Sequence, residues 1–136
     1  MTQLAIPLKN QIPEIERVHE IVERLSLEHG WDTRLQFDLN LALEEVLANI
    51  IYYGYDDQRE HEILIRVSIG SEELTVEIED DGHEFNPLDQ PAPDLAKPLE
   101  ERQAGGLGIF LVRKVIDHVE YRREKGKNIL TLKKKY

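Results

Sequence analysis

The chain has 136 residues and a formal net charge of −10, from 27 acidic against 17 basic residues, and it contains no cysteine. That length suits one domain with one hydrophobic core, expected to span residues 1–136. The absent cysteines exclude disulfide staples and Cys-ligated zinc, the negative field disfavours nucleic acid and anionic membranes, and no apolar run is long enough to span a bilayer, so a soluble cytoplasmic protein is expected.

Gln3 to Leu8 reads as a short strand. Asn10 is a candidate cap for a first helix, in which Ile15, Val18, Ile21, Val22 and Leu25 recur at helical spacing until Gly30 stops it. A longer helix is expected from Asp32 or Thr33 to Gly54, with Leu35, Leu39, Leu43, Val46, Leu47 and Ile50 on its apolar stripe. A helix advances about 100° per residue, so Asn49 lies roughly 40° round from Glu45 and about 140° from Glu44. Glu45 and Asn49 therefore share one shoulder, and Asp38, seven residues before Glu45, extends it into a polar stripe. An amide oxygen beside a carboxylate is suited to holding Mg²⁺ and orienting a hydroxyl or water, although a plain solvated flank has the same pattern.

From Glu62 the period changes to two. Ile63, Ile65, Val67 and Ile69, then Leu74, Val76 and Ile78 after Gly70-Ser71, describe a hairpin. It runs into Glu79-Asp80-Asp81-Gly82-His83-Glu84-Phe85, which is either a turn or a site where Asp80 accepts from an exocyclic amine and Gly82 admits a planar base close to the backbone. Asn86 to Ala104 lacks periodicity and holds four of the six prolines, the mark of a long irregular loop. Gly105-Gly-Leu-Gly108 then opens a helix with Ile109, Val112 and Ile116 inward. Free N–H groups and the positive dipole end at such a start hold phosphate, although a hinge before a core helix has the same composition. Val119 to Arg123 and Ile129 to Lys133 form a last strand pair turning at Lys125-Gly126, and the basic stretch from Arg122 to Lys135 reads as a lysine-guarded sheet edge. The order β-α-α-β-β-loop-α-β-β predicts an α+β two-layer sandwich: a largely antiparallel mixed sheet, helices on one face and ligand between the layers. Trp31, Tyr52, Tyr53 and Tyr55 read as packing.

Taken in order, Glu-x-x-x-Asn on a helix, Asp-x-Gly after a strand and Gly-Gly-Leu-Gly opening a helix form a far more specific pattern than any one of them. The arrangement resembles the ATPase superfamily that includes gyrase, the mismatch-repair ATPases, the heat-shock chaperone ATPase and histidine kinases. Within it, Glu45-Val-Leu-Ala-Asn49 followed by Tyr53-Gly54-Tyr55, and Gly106-Leu-Gly-Ile-Phe-Leu-Val112, look most like the bacterial anti-sigma factor serine kinases. The resemblance implies a histidine-kinase-like ATPase fold with ATP and Mg²⁺ as cofactors. Asn49 would be the metal ligand, Asp80 and Gly82 would receive the adenine, and Gly105, Gly106, Leu107, Gly108 and Ile109 would surround the phosphates. Residues 86–104 would be the lid, and Glu45 the base that prepares a serine hydroxyl. The implied partner is a small anti-sigma-factor antagonist that supplies the serine, with a sigma factor as a second partner and a homodimer as the assembly. The alternative is a non-catalytic ATP-binding module that sequesters a partner. Two positions depart from the family pattern: Glu84 stands where a second glycine is common, and Lys127-Asn128 stand in place of small hydroxyl residues before the last strand, which bears on one water-mediated adenine contact that the resemblance implies.

Overall fold

The computed structural model describes residues 2–89 and 106–136. Strand β1 (Thr2–Lys9) leads to helices α1 (Pro13–His29) and α2 (Thr33–Tyr53), then strands β2 (Glu62–Ile69) and β3 (Glu73–Asp80), helix α3 (Gly106–Val115), and strands β4 (His118–Glu124) and β5 (Lys127–Lys135). A short 3₁₀ turn at Pro87–Asp89 follows β3. The five strands form one sheet in the order β1-β2-β3-β5-β4. Every neighbouring pair is antiparallel, so the sheet expected to be largely antiparallel is antiparallel throughout the described residues.

The register explains the core. Ile6 faces Ile65, Ile65 faces Ile78, and Ile78 faces Leu130. One row of apolar side chains thus crosses four strands on a single face, because residues two apart in a strand point the same way. These residues are buried in one cluster with Val18, Val22, Leu39, Leu43, Leu47 and Val112 of the helices. The apolar stripes read from the sequence therefore meet the apolar alternation of the strands.

Helix ends follow local chemistry. The Asp32 side chain accepts from Leu35 N at 2.8 Å and starts α2. Gly30 stops α1 at φ 68°, where a residue with a Cβ is strained. Asn10 differs from expectation. Helix α1 begins at Pro13 with no side-chain cap, because proline needs no partner for an absent N–H. Asn10 instead accepts from His61 N at 2.8 Å, and its own N–H donates to His61 O, which pins the α2–β2 connection to the end of β1.

The basic C-terminal stretch also departs from its expected place. It occupies inner strand β5 as well as edge strand β4, and its charges meet acidic partners. Arg122 lies 3.2 Å from Glu77 and Lys127 lies 3.6 Å from Glu79. Lys134 lies 3.5 Å from Asp38 and donates to Val115 O at 2.6 Å. Lys125 and Gly126, both at positive φ, make the turn between β4 and β5.

Candidate functional site

At the open end of the layers, α2, α3 and the end of the β3–β5 pair enclose a pocket of about 280 Å³. Its walls are apolar, formed by Val46, Ile50, Ile109, Val112 and Leu130. Asn49, Asp80 and Asn128 supply polar groups, and Tyr53, His83, Phe85 and Pro87 complete the rim. A slot of this kind suits a flat heterocycle held by a few fixed polar contacts.

Asp80 ends β3 in phase with Leu74, Val76 and Ile78, so the strand carries a carboxylate onto the core face. It is only 6% exposed. One carboxylate oxygen, Oδ1, accepts from Gly82 N at 2.9 Å and from Asn128 Nδ2 at 3.0 Å. Burial pushes its pKa above the ordinary carboxylate value, and these two hydrogen bonds oppose the shift.

Gly82 has a reason to be glycine beyond the one its sequence context suggests. A Cβ there would lie 2.1 Å from Gly54 O and 2.9 Å from Asp80 Oδ1. The close approach is made by the end of α2, and His83 N donates to the same Gly54 carbonyl at 3.0 Å. Gly54 and Gly82 therefore clamp the amide-bearing helix to the loop that carries Asp80.

On α2 the predicted geometry holds at residue level: Glu44 is exposed, whereas Glu45 and Asn49 are half-buried. The Glu45 carboxylate has no ion-pair partner among the described residues. Burial and the neighbouring Glu44 charge raise its pKa. Asp38 does not continue this shoulder as a site group. It is 3% exposed and is paired with Arg34 at 3.1 Å as well as with Lys134.

Gly108 joins the first and third motifs, those of α2 and α3. It is buried, and a Cβ on it would lie 2.9 Å from Glu45 Oε2 and 3.3 Å from Asn49 Nδ2. The start of α3 thus lies directly against the carboxylate–amide shoulder. Gly106 opens the helix, and Ile109 is buried against the pocket. Gly105 and residues 90–104 of the expected lid lie outside the described residues, while Asn86 Oδ1 accepts from Leu88 N at 2.9 Å at the lid's beginning.

The residues fit a bound nucleotide. An apolar slot ends at a carboxylate with one oxygen left over, and an amide and a helix N-terminus stand at its other side, where phosphates and their metal would lie. Sequence reasoning missed Asn128, Tyr53, His83 and Phe85. Asn128 was legible in principle, because it falls in phase with the buried Leu130 and Leu132 of β5. The Glu84 departure is harmless to the pocket, since that side chain is exposed and does not line it.

Residues 9–134 match the histidine kinase-like ATPase domain family. The chain belongs to that family. It is 32% identical over 111 residues to the serine/threonine-protein kinase BtrW of Bordetella bronchiseptica, covering 82% of this chain and 78% of that protein. It is 27% identical to the serine-protein kinase RsbW of Bacillus subtilis, over 71% of this chain and 62% of RsbW. An anti-sigma F factor of Clostridium perfringens is 26% identical over 72% of this chain and 70% of that protein. Within the histidine kinase-like ATPases, the chain therefore groups with the serine kinases and anti-sigma factors. The fold agrees: the RsbU and RsbW domains of a Mycobacterium tuberculosis protein superpose with a TM-score of 0.71 at 15% identity, over 98% of this chain and 32% of that one.

Proposed function

We propose that this histidine kinase-like ATPase is a cytoplasmic, ATP-dependent serine kinase and anti-sigma regulator of a partner-switching circuit. Its substrate is a serine on a small anti-sigma-factor antagonist, a sigma factor is its second partner, and it works as a homodimer. The observation that carries the reading is the contact of Gly108 with Glu45 and Asn49. The closeness of the α3 start to the Asn49 amide and the Glu45 carboxylate supports a reading in which the three act together on phosphate, metal and hydroxyl.

Each residue then has a distinct task. Asp80 accepts a hydrogen bond from the adenine amine, while Val46, Ile50 and Leu130 exclude water from the base. The first N–H groups of α3 face phosphate oxygens. Asn49 offers its carbonyl oxygen to Mg²⁺, which when bound neutralises phosphate charge and fixes the geometry of transfer. Glu45 would take the serine proton as the hydroxyl oxygen bonds to the γ-phosphorus and the bond to the β–γ bridging oxygen breaks, with ADP leaving. Burial and the Glu44 charge raise its pKa, which makes it a better proton acceptor than an ordinary glutamate. Most of the acceleration comes from alignment and charge neutralisation rather than from this proton transfer.

Incubation with radiolabelled ATP and the candidate antagonist tests the reading. Stoichiometric label on a serine is expected, and Glu45→Ala should abolish it while sparing ATP binding. Tight ATP binding with no label on any partner would replace the kinase with a nucleotide-gated binding module, and undiminished label in Glu45→Ala would remove the base assignment.

A further inference from the structure

At the mouth of the sheet, the register pair of β3 and β5 is Asp80 and Asn128. Both side chains are buried, at 6% and 7% exposure. The partners of the Asn128 amide fix its orientation. Arg123 Nη1 and Phe85 N can only donate, and they lie 3.0 and 3.3 Å from Asn128 Oδ1. The Tyr121 hydroxyl donates to the same oxygen at 2.6 Å. At the other end, His83 O can only accept, and it lies 2.8 Å from Nδ2. With oxygen and nitrogen assigned by these one-way partners, the second hydrogen of Nδ2 goes to Asp80 Oδ1 at 3.0 Å. Gly82 N donates to that oxygen too. Asp80 Oδ1 is therefore used within the protein, while Oδ2 has no partner among the described residues.

We propose that Asn128 is a positioning residue of the nucleotide site, which turns the Asp80 carboxylate so that one oxygen is held and the other is offered to the exocyclic amine of the purine. The inference rests on the reading of Asp80 as the base acceptor. Two consequences follow from the hydrogen-bond count. The Asn128 amide gives both hydrogens and receives three donors, so nothing is left for a bridging water, and discrimination at the amine falls on Asp80 alone. Its N–H to Asp80 also favours the charged carboxylate against the burial that favours the neutral one. Around Asp80, Asp81 pushes its pKa up and Arg123 of β4 pulls it down, while the Tyr55 and Tyr121 hydroxyls sense its charge.

Calorimetry with ATP and with ITP, whose 6-oxo group replaces the amine, provides the test in Mg²⁺ buffer. The wild-type protein should prefer ATP by about tenfold or more, and Asp80→Asn should lose that preference. A wild type that binds both alike overturns the Asp80 reading, and the inference with it. Given the preference, Asn128→Ala should lower the ATP-to-ITP ratio by about tenfold and raise the pH below or above which affinity changes with Asp80 ionisation. Tyr121→Phe removes a donor that holds the amide, and should shift the ratio the same way by about threefold. It keeps the test open should Asn128→Ala not fold. A merely structural role weakens both nucleotides equally. An unchanged ratio in both variants, or an unmoved pH profile, overturns the positioning role while leaving Asp80 as base acceptor.

Discussion

Asp80 shows how burying a carboxylate costs stability. Its folded pKa is raised, chiefly by burial, so the folded state prefers the neutral acid. The sign follows: stability from this group is fully present below the unfolded pKa and is lost as pH rises through the folded one. At neutral pH, well above the unfolded value, this group therefore opposes folding. Asp80→Asn keeps an oxygen for Gly82 N and Asn128 Nδ2 but removes the charge. Thermal unfolding at neutral pH should show a melting temperature equal to or above wild type. ATP affinity should fall by about 1.5–3 kcal/mol, the range for a hydrogen bond to a charged group. Gly108 carries the opposite lesson, because the atoms a Cβ would meet are the ends of the Glu45 and Asn49 side chains, which can swing away. Gly108→Ala should fold normally by circular dichroism, yet transfer should drop by about 100-fold, since displacement of a reacting group by about an ångström has that effect.

At the scale of elements, the connection between α2 and β2 is held by charge. His61 Nε2 lies 2.7 Å from Asp57 Oδ1 and Nδ1 lies 3.1 Å from Asp81 Oδ1, while the ring stacks on Tyr55 at 4.2 Å. Carboxylates only accept, so both ring nitrogens donate only when the imidazole is protonated. The hydrogen bond to Asp57 is the largest cause that raises the His61 pKa, and Asp57 is lowered in turn. For a raised histidine, the stabilisation is complete below the unfolded value near about 6.5 and fades as pH climbs through the folded value. Melting temperatures measured from about pH 6 to about pH 8.5 should fall more steeply in the wild type than in His61→Gln. Parallel curves would show that the two carboxylates do not hold this connection through the imidazolium.

Across the whole molecule, the site depends on α2 and α3 keeping a fixed offset, because one presents Glu45 and Asn49 and the other presents Gly108. Lys134 of β5 ties them at the far end, pairing with Asp38 of α2 and donating to the last turn of α3 at Val115 O. Lys134→Met should lower stability in urea unfolding by about 2–3 kcal/mol, less than the ~3–5 of a fully orphaned buried ion because Arg34 remains beside Asp38. A loss below about 0.5 kcal/mol, the scale of an exposed pair, would mean that the strut is superficial.

Periodicity alone determined the element order, the core faces of both long helices, the strand hairpins and the shoulder shared by Glu45 and Asn49, because each is a local pattern of side-chain direction. The ordered motifs likewise pointed to the ATPase family before any contact was known. Other features needed the folded chain. Asn10 turned from a helix cap to a pin for the α2–β2 connection, Asp38 turned from a site-facing shoulder to a buried strut, and the clamp of Gly82 on Gly54 came into view. Asn128, met in sequence only as a missing hydroxyl, proved to be the partner of Asp80. In each case the deciding neighbour lies across the sheet or on another helix, and spacing along one chain carries no information about which groups the register and the packing of layers will bring within hydrogen-bonding distance.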